Sequence, residues 1–211
     1  MAERQRVGGI ELGGTKTVLA TGFADGRILA RATLPTVAPE ALVPQIAAFF
    51  ATHGPVASVG VGAFGPIILS KESPQYGHLL DTNKPGWSRF DLIGALEQAC
   101  RVPVTLLTDV AAAGVGEARS GALQGFALGL YLTVGTGIGG AILLHGQPLP
   151  ALLHPEIGHI ALQRFAGDTA PSTCRFHASC AEGLAAGPAI IARFGKPHSA
   201  YLLDSPEHAQ N

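Results

Sequence analysis

A chain of 211 residues with 28 glycines, 47% hydrophobic and 14% charged residues can bury a sizeable core, and it has the composition of a compact α/β protein, not of a coiled coil or a disordered segment. A formal net charge of −1 with no basic run excludes an electrostatic footprint for nucleic-acid polymers and argues against charge-driven binding to a membrane surface. No apolar stretch reaches the length of a membrane span, the first six residues lead into a strand without a leader's apolar core, and three cysteines are too few and too odd for a disulfide framework, so the expected compartment is the cytoplasm.

Residues 7–12 read as a strand that meets Gly13-Gly14-Thr15-Lys16 and continues as a second strand over 17–20. Asp25-Gly26 then turns the chain into a third strand, 27–33, which completes an antiparallel meander. Apolar residues at helical spacing over 39–52 predict a crossover helix to a strand over 57–63. That strand ends at Phe64-Gly65-Pro66-Ile67, a position where α/β sheets commonly carry ligand contacts. Residues 73–87 are polar and too long for a simple connection, which predicts a functional or partly mobile loop ending at Pro85-Gly86-Trp87. A helix over 91–101 and a buried strand over 104–107 follow, then Thr108-Asp109 and an alanine-rich helix over 110–119. An acidic residue at this junction reads equally as an N-cap or as a catalytic base aimed into a cleft.

After a hinge at Ser120-Gly121-Ala122, two strand-like runs over 127–132 and 141–144 flank Thr133-Val134-Gly135-Thr136-Gly137-Ile138-Gly139-Gly140. Glycines there let backbone N–H groups converge on an anion, with phosphate the expected guest. Gly135, Gly137 and Gly140 also fit a dinucleotide fingerprint, but that motif needs a helix to follow and an apolar, β-branched run follows instead. This hairpin and the one at 13–16 share one design, which points to a duplicated architecture. Cys174, His177 and Cys180 have the spacing C-x-x-H-x-x-C, and His159 supplies a fourth corner for a tetrahedral zinc site. Cys100 reads as an ordinary helix thiol, because Gln98-Ala99-Cys100-Arg101 lacks the final glycine of the caspase motif. Residues 181–194 are helical with a break at Gly187-Pro188, and Asp204-Ser205-Pro206-Glu207 is a helix start with only four residues after it.

The succession Glu11-Leu12-Gly13-Gly14-Thr15-Lys16, Gly62-Ala63-Phe64-Gly65-Pro66-Ile67, Pro85-Gly86-Trp87, Thr108-Asp109-Val110, the hairpin at 133–140, His154-Pro155-Glu156-Ile157-Gly158-His159 and Cys180-Ala181-Glu182-Gly183-Leu184 resembles the ROK family of sugar kinases, and its bacterial fructokinases in particular. The resemblance implies an α/β, actin/hexokinase-like (ribonuclease H-like) fold of two lobes closing over ATP and a sugar. Residues 1–121 would form the N-terminal lobe and 122–211 a C-terminal lobe cut short relative to the family. It also implies phosphoryl transfer from Mg-ATP to a hexose, most simply fructose to fructose 6-phosphate, in a homodimeric protein.

The same resemblance assigns roles. Asp109 would be the general base, Gly13, Gly14, Thr15 and Lys16 with Thr136 and Gly137 would hold the phosphates, and Glu11 would reach Mg²⁺ through water. Gly65, Pro66, Asn83, Glu156, His159 and Glu182 would contact the sugar, while a structural zinc on His159, Cys174, His177 and Cys180 would leave one nitrogen of His159 for a sugar hydroxyl. Ala111 stands where many relatives carry an asparagine. Two other readings are a non-catalytic sugar-binding or regulatory ROK protein and an inactive kinase fragment.

Overall fold

A computed structural model describes residues 5–82, 84–149 and 155–195. Asn83, His154 and the helix start expected after Asp204 lie outside the described residues. The chain forms two compact units, residues 1–129 with 142–154 and residues 130–141 with 155–211.

In the first unit, strands β1 (Arg6–Leu12), β2 (Lys16–Phe23) and β3 (Ile28–Pro35) form the expected meander. Helix α1 (Pro39–Thr52) leads to β4 (Val59–Ala63), and α2 (Leu92–Cys100) leads to β5 (Val104–Thr108). The sheet order is β3-β2-β1-β4-β5, with β1, β4 and β5 parallel. Parallel neighbours need a crossover connection, which α1 and α2 provide, and both crossovers add a strand on the same side of β1. Helix α1 buries Leu42, Val43, Ile46, Phe49 and Phe50, residues that recur on one face of a 3.6-residue period. They meet Ile10, Leu12, Leu19, Val59 and Val61 of the sheet together with Leu92 and Leu96 of α2, and this is the main core of the unit.

The long segment expected to be functional or partly mobile is tied down at several of its described residues. Ile67 pairs with Leu79 and His78 with Asp91, while Leu79 donates its N–H to Phe90. Its apolar residues Leu79 and Trp87, with Ile67 just before the segment, do the anchoring: each is at most 1% exposed. The indole N–H of Trp87 donates to the Val37 carbonyl at 3.0 Å, and Phe64 and Phe90 meet its ring edge-on. A loop read as polar by composition thus has an aromatic anchor that satisfies its one polar atom.

Helix α3 (Asp109–Ser120) follows β5. It packs against β4 at Gly62, where a Cβ would fall 2.8 Å from the Ala112 Cβ. Glycine in mid-strand here is the consequence of a close helix approach. Strands β6 (Leu128–Val134), β7 (Ile138–Leu144) and β8 (Gln147–Pro148) form a second sheet in the order β6-β7-β8. The compact division keeps residues 122–129 and 142–154 with the first unit, whereas the sequence reading placed them beyond the 121/122 boundary. Packing of α3 on β8 ties the described part of 142–154 to the first unit, and the His145 N–H bond to the Ala127 carbonyl joins it to 122–129.

In the second unit a 3₁₀ turn (Ile157–His159) precedes a loop that returns to α4 (Ala181–Ala185) and α5 (Gly187–Phe194), split at the expected Gly187-Pro188. The loop is braced by Arg193, which makes two 2.9 Å bonds to the two oxygens of Asp168, and by Arg164, which donates to the carbonyls of Ala170 and Ala178. The Arg193 hydrogen bond, and then the Ala170 N–H, hold the Asp168 carboxyl below the usual carboxylate range. Because the folded value is lowered, the stabilisation is present above the unfolded carboxyl's value, about 3.9, and is lost as the pH falls through the folded value. Melting temperatures of the wild type and Asp168→Asn measured against pH should therefore differ most near neutrality and converge below about pH 4. A constant difference across that range would contradict this linkage.

Candidate functional site

The first unit builds its part of the site by strand register. Leu12 of β1 pairs with Ala63 of β4, and Ala63 pairs with Thr108 of β5. The next residue on each strand, Gly13, Phe64 and Asp109, therefore leaves the sheet at the same edge, one strand spacing of about 4.8 Å apart. The Phe64 N–H bond to the Leu12 carbonyl, 2.9 Å, closes the ladder at that edge. Three of the predicted groups thus share one rim: the turn at 13–16, the Gly65-Pro66 loop and the Asp109 carboxylate.

The turn is a tight hairpin closed by Gly13 N–H to the Lys16 carbonyl at 3.1 Å. Thr36 braces it from outside, donating its hydroxyl to the Gly13 carbonyl at 2.7 Å and its N–H to the Thr15 carbonyl at 2.9 Å. Its hydroxyl also lies 2.8 Å from that of the buried Thr17. Sequence reasoning missed Thr36, since no local pattern marks a residue 23 positions away as the brace of a turn. Thr15 and Lys16 stay exposed at the tip. Glu11 projects from the sheet face that carries α3, beside Gly62 and Leu107, and lines a cavity of about 400 Å³ with them.

At the β5–α3 junction the N-cap is Thr108, whose hydroxyl oxygen accepts the Ala111 N–H at 3.2 Å. Asp109 is the first helical residue instead, half-buried, with Oδ1 accepting the Val110 N–H at 2.8 Å. The capping role weighed for Asp109 is thus filled by its neighbour, because Thr108 holds the extended backbone that an N-cap needs. The carboxylate remains at the positive end of α3, a favourable place for a negative charge.

In the second unit the turn between β6 and β7 is shorter than predicted. Only residues 135–137 leave the strands, closed by Gly135 N–H to the Gly137 carbonyl at 2.8 Å. Gly139 and Gly140 belong to β7, since strand pairing needs backbone only, and a Cβ on Gly140 would meet the Leu132 side chain at 2.8 Å. A strand follows the glycines, as the reading against a dinucleotide motif requires. Thr136 is exposed at the tip. Glu182 sits against the turn: its Oε2 accepts the Ile138 N–H at 3.1 Å, and a Cβ on Gly137 would lie 2.6 Å from the same oxygen.

His159, Cys174, His177 and Cys180 converge, with their ligand atoms all within 4.8 Å of one another. His159 Nδ1 lies 3.7 Å from the Cys174 sulfur and 3.8 Å from the Cys180 sulfur, and His177 Nδ1 lies 3.6 Å from Cys174. Zinc–sulfur and zinc–nitrogen bonds of about 2.3 and 2.0 Å at tetrahedral angles give edges of roughly 3.6 Å, so the donor set fits the ion in type and spacing. Backbone pairing of Ala161 with Cys180 draws the two ends of the loop together. Cys180 caps α4 through its sulfur, which accepts the Gly183 N–H, and Cys174 accepts the Phe176 N–H. His159 Nε2 points to Glu182, 4.0 Å from Oε1. The nitrogen expected to reach a sugar hydroxyl is thus next to a carboxylate that already holds the glycine turn. Glu156 is exposed and its carbonyl accepts the His159 N–H at 2.9 Å.

The ROK family model matches residues 7–210. The chain belongs to the ROK family. It is 39% identical to a fructokinase of Pediococcus pentosaceus over 95% of this chain and 69% of that protein. It is 40% identical to a putative fructokinase of Bacillus subtilis (strain 168) over 90% of this chain and 63% of that protein. The chain thus spans about two thirds of the length of these curated relatives. Among solved structures it superposes on a ROK hexokinase from Thermus thermophilus with a TM-score of 0.75 at 28% identity, covering 98% of this chain and 72% of that one. A ROK glucokinase from Streptomyces griseus, in complex with glucose and AMPPNP, gives 0.72 at 27% identity over 97% of this chain and 63% of that one. The fold is therefore the actin/hexokinase-like α/β fold expected from the motifs.

Proposed function

We propose that this ROK protein transfers the γ-phosphoryl group of ATP to a hexose, with fructose as the acceptor and Asp109 as the general base. The observation that carries the reading is the register at the end of β1, β4 and β5, which sets a glycine turn, a Gly-Pro loop and a carboxylate side by side on one rim. Two strand spacings, roughly 10 Å, separate Gly13 from Asp109, room for a hydroxyl and a phosphoryl group between them. The names of the two fructokinase relatives support the choice of sugar.

In this reading the hexose hydroxyl oxygen bonds to the γ-phosphorus as the bond to the β,γ-bridging oxygen breaks, ADP leaves, and the hydroxyl proton passes to Asp109. The transition state is loose, so the protein's work is positioning and charge stabilisation. By the family resemblance Gly13, Gly14, Thr15 and Lys16 bind phosphate oxygens, and Thr136 and Gly137 are assigned the same role. Gly65 and Pro66, Glu156, His159 and Glu182 position the sugar, and Asn83 keeps its assignment by resemblance. Glu11 is an exposed carboxylate, the hard oxygen donor that suits Mg²⁺, and would hold it through water. When bound, Mg²⁺ neutralises charge on the β- and γ-phosphate oxygens. His159, Cys174, His177 and Cys180 would hold a structural zinc, which would orient the His159 ring without activating a water. By the same resemblance the protein works in the cytoplasm as a homodimer, with residues 1–121 as its N-terminal lobe.

Hexose-dependent ADP release tests the proposal. With Mg-ATP and a panel of hexoses, fructose should give the highest kcat/KM. Sugar binding by calorimetry with no release of ADP above the sugar-free rate would favour a non-catalytic sugar-binding protein instead.

A further inference from the structure

Lys84 is a charged residue to which neither the sequence motifs nor the roles above give a task. It precedes Pro85-Gly86-Trp87 in the first unit and is half-buried. Its side chain lies over the first glycine turn: a Cβ on Gly14 would be 3.1 Å from the Lys84 Cε and 3.2 Å from its Nζ. The contact depends on Gly14 having no side chain, so the loop at 84–87 and the turn at 13–16 are fitted to each other. The backbone at Lys84 is fixed on both sides. Its N–H donates to the Thr82 hydroxyl at 3.3 Å, and its carbonyl accepts the N–H of the buried Trp87 at 3.1 Å. Among the described residues, no carboxylate or carbonyl pairs with the ammonium. The three N–H donors of an ammonium are therefore held at the rim of a backbone cradle, with no acceptor among the described residues.

We infer that Lys84 is a phosphate-binding residue of the first turn, its ammonium contacting the phosphoryl group in transfer. The inference rests on the kinase reading. A compact ammonium acts here as a point charge beside a glycine cradle, the complement to N–H groups that carry only partial charge. Charge that grows on the equatorial oxygens during transfer is stabilised by a cation already in place, which raises kcat more than it tightens ground-state binding. The Trp87 anchor gives the position its precision, since the anchoring residue is three places from the lysine and 1% exposed.

The test has two arms. Lys84→Met keeps the aliphatic stem that packs on Gly14 and removes the charge. It should lower kcat by about 10²- to 10³-fold with little change in the hexose KM, while Lys84→Arg keeps more activity than Lys84→Met. The second arm needs no turnover: reductive methylation of the unmodified protein, read by mass spectrometry, with and without inorganic tripolyphosphate. At ten times its Kd, tripolyphosphate should slow methylation of Lys84 about elevenfold, following 1 + [L]/Kd, and leave the exposed Lys71 unchanged. A Lys84→Met variant with wild-type kcat, or Lys84 methylation unaffected by saturating tripolyphosphate, overturns the inference. If the wild type shows no hexose-dependent ADP release, the kinase reading fails and the protection arm alone decides whether Lys84 binds phosphate.

Discussion

Asp109→Asn should abolish most of the hexose-dependent ADP release, lowering kcat by about 10²- to 10⁴-fold, the range that a positioned general base contributes. The substitution is close to isosteric, and the amide oxygen can still accept the Val110 N–H that Oδ1 accepts at 2.8 Å. The helix cap is not disturbed, because it belongs to the Thr108 hydroxyl and the Ala111 N–H. Folding and sugar affinity should therefore be nearly unchanged, and the loss should fall on kcat, not on KM. Thr108→Ala is the complementary variant: it should cost about 1 kcal/mol of stability through the lost cap while leaving the carboxylate in place. An Asp109→Asn protein within tenfold of wild-type kcat would leave the reaction without its proposed base. The Glu11 carboxylate, on the sheet face that carries α3, would then be the next group to vary.

What the sequence revealed and what it concealed divide along the range of the interactions involved. The bounds of α1, 39–52, follow from its own apolar spacing and from Pro39 at its start, and the structure has the same bounds. The break between α4 and α5 is equally local, written in Gly187-Pro188. The Cys/His cluster was legible because three of its members sit within seven residues and their chemistry is distinctive. The brace of Thr36 on Gly13 and the indole bond of Trp87 to Val37 link residues 23 and 50 positions apart, and neither leaves a local pattern. The cap at α3 was a different failure. Threonine and aspartate are both good caps and stand next to each other, so composition alone does not decide which one holds the extended backbone. The bond from the Ile138 N–H to Glu182 spans 44 residues and comes only from the fold.

Zinc removal should have the largest effect on the second unit. Among the described residues its loop from 160 to 180 exposes Phe165 at 90% and Phe176 at 67%, so little apolar burial holds it. What organises the loop is the pairing of Ala161 with Cys180, the Arg164 and Arg193 bonds, and the convergence of four soft ligands. Structural zinc contributes about 10 to 16 kcal/mol of apparent binding energy in small zinc peptides, far more than these few hydrogen bonds supply. The purified protein should contain one zinc per chain, and Cys174→Ser should lose it. Chelation should raise amide exchange across 157–183 and leave β1, β4 and β5 protected. Sugar affinity should fall at the same time, because one His159 ring carries Nδ1 toward the Cys174 sulfur and Nε2 toward Glu182, and a ring not held by zinc would fix neither. Unchanged one-to-one zinc in Cys174→Ser would remove the metal assignment. Zinc loss without a change in sugar affinity would keep the metal but detach it from the sugar site.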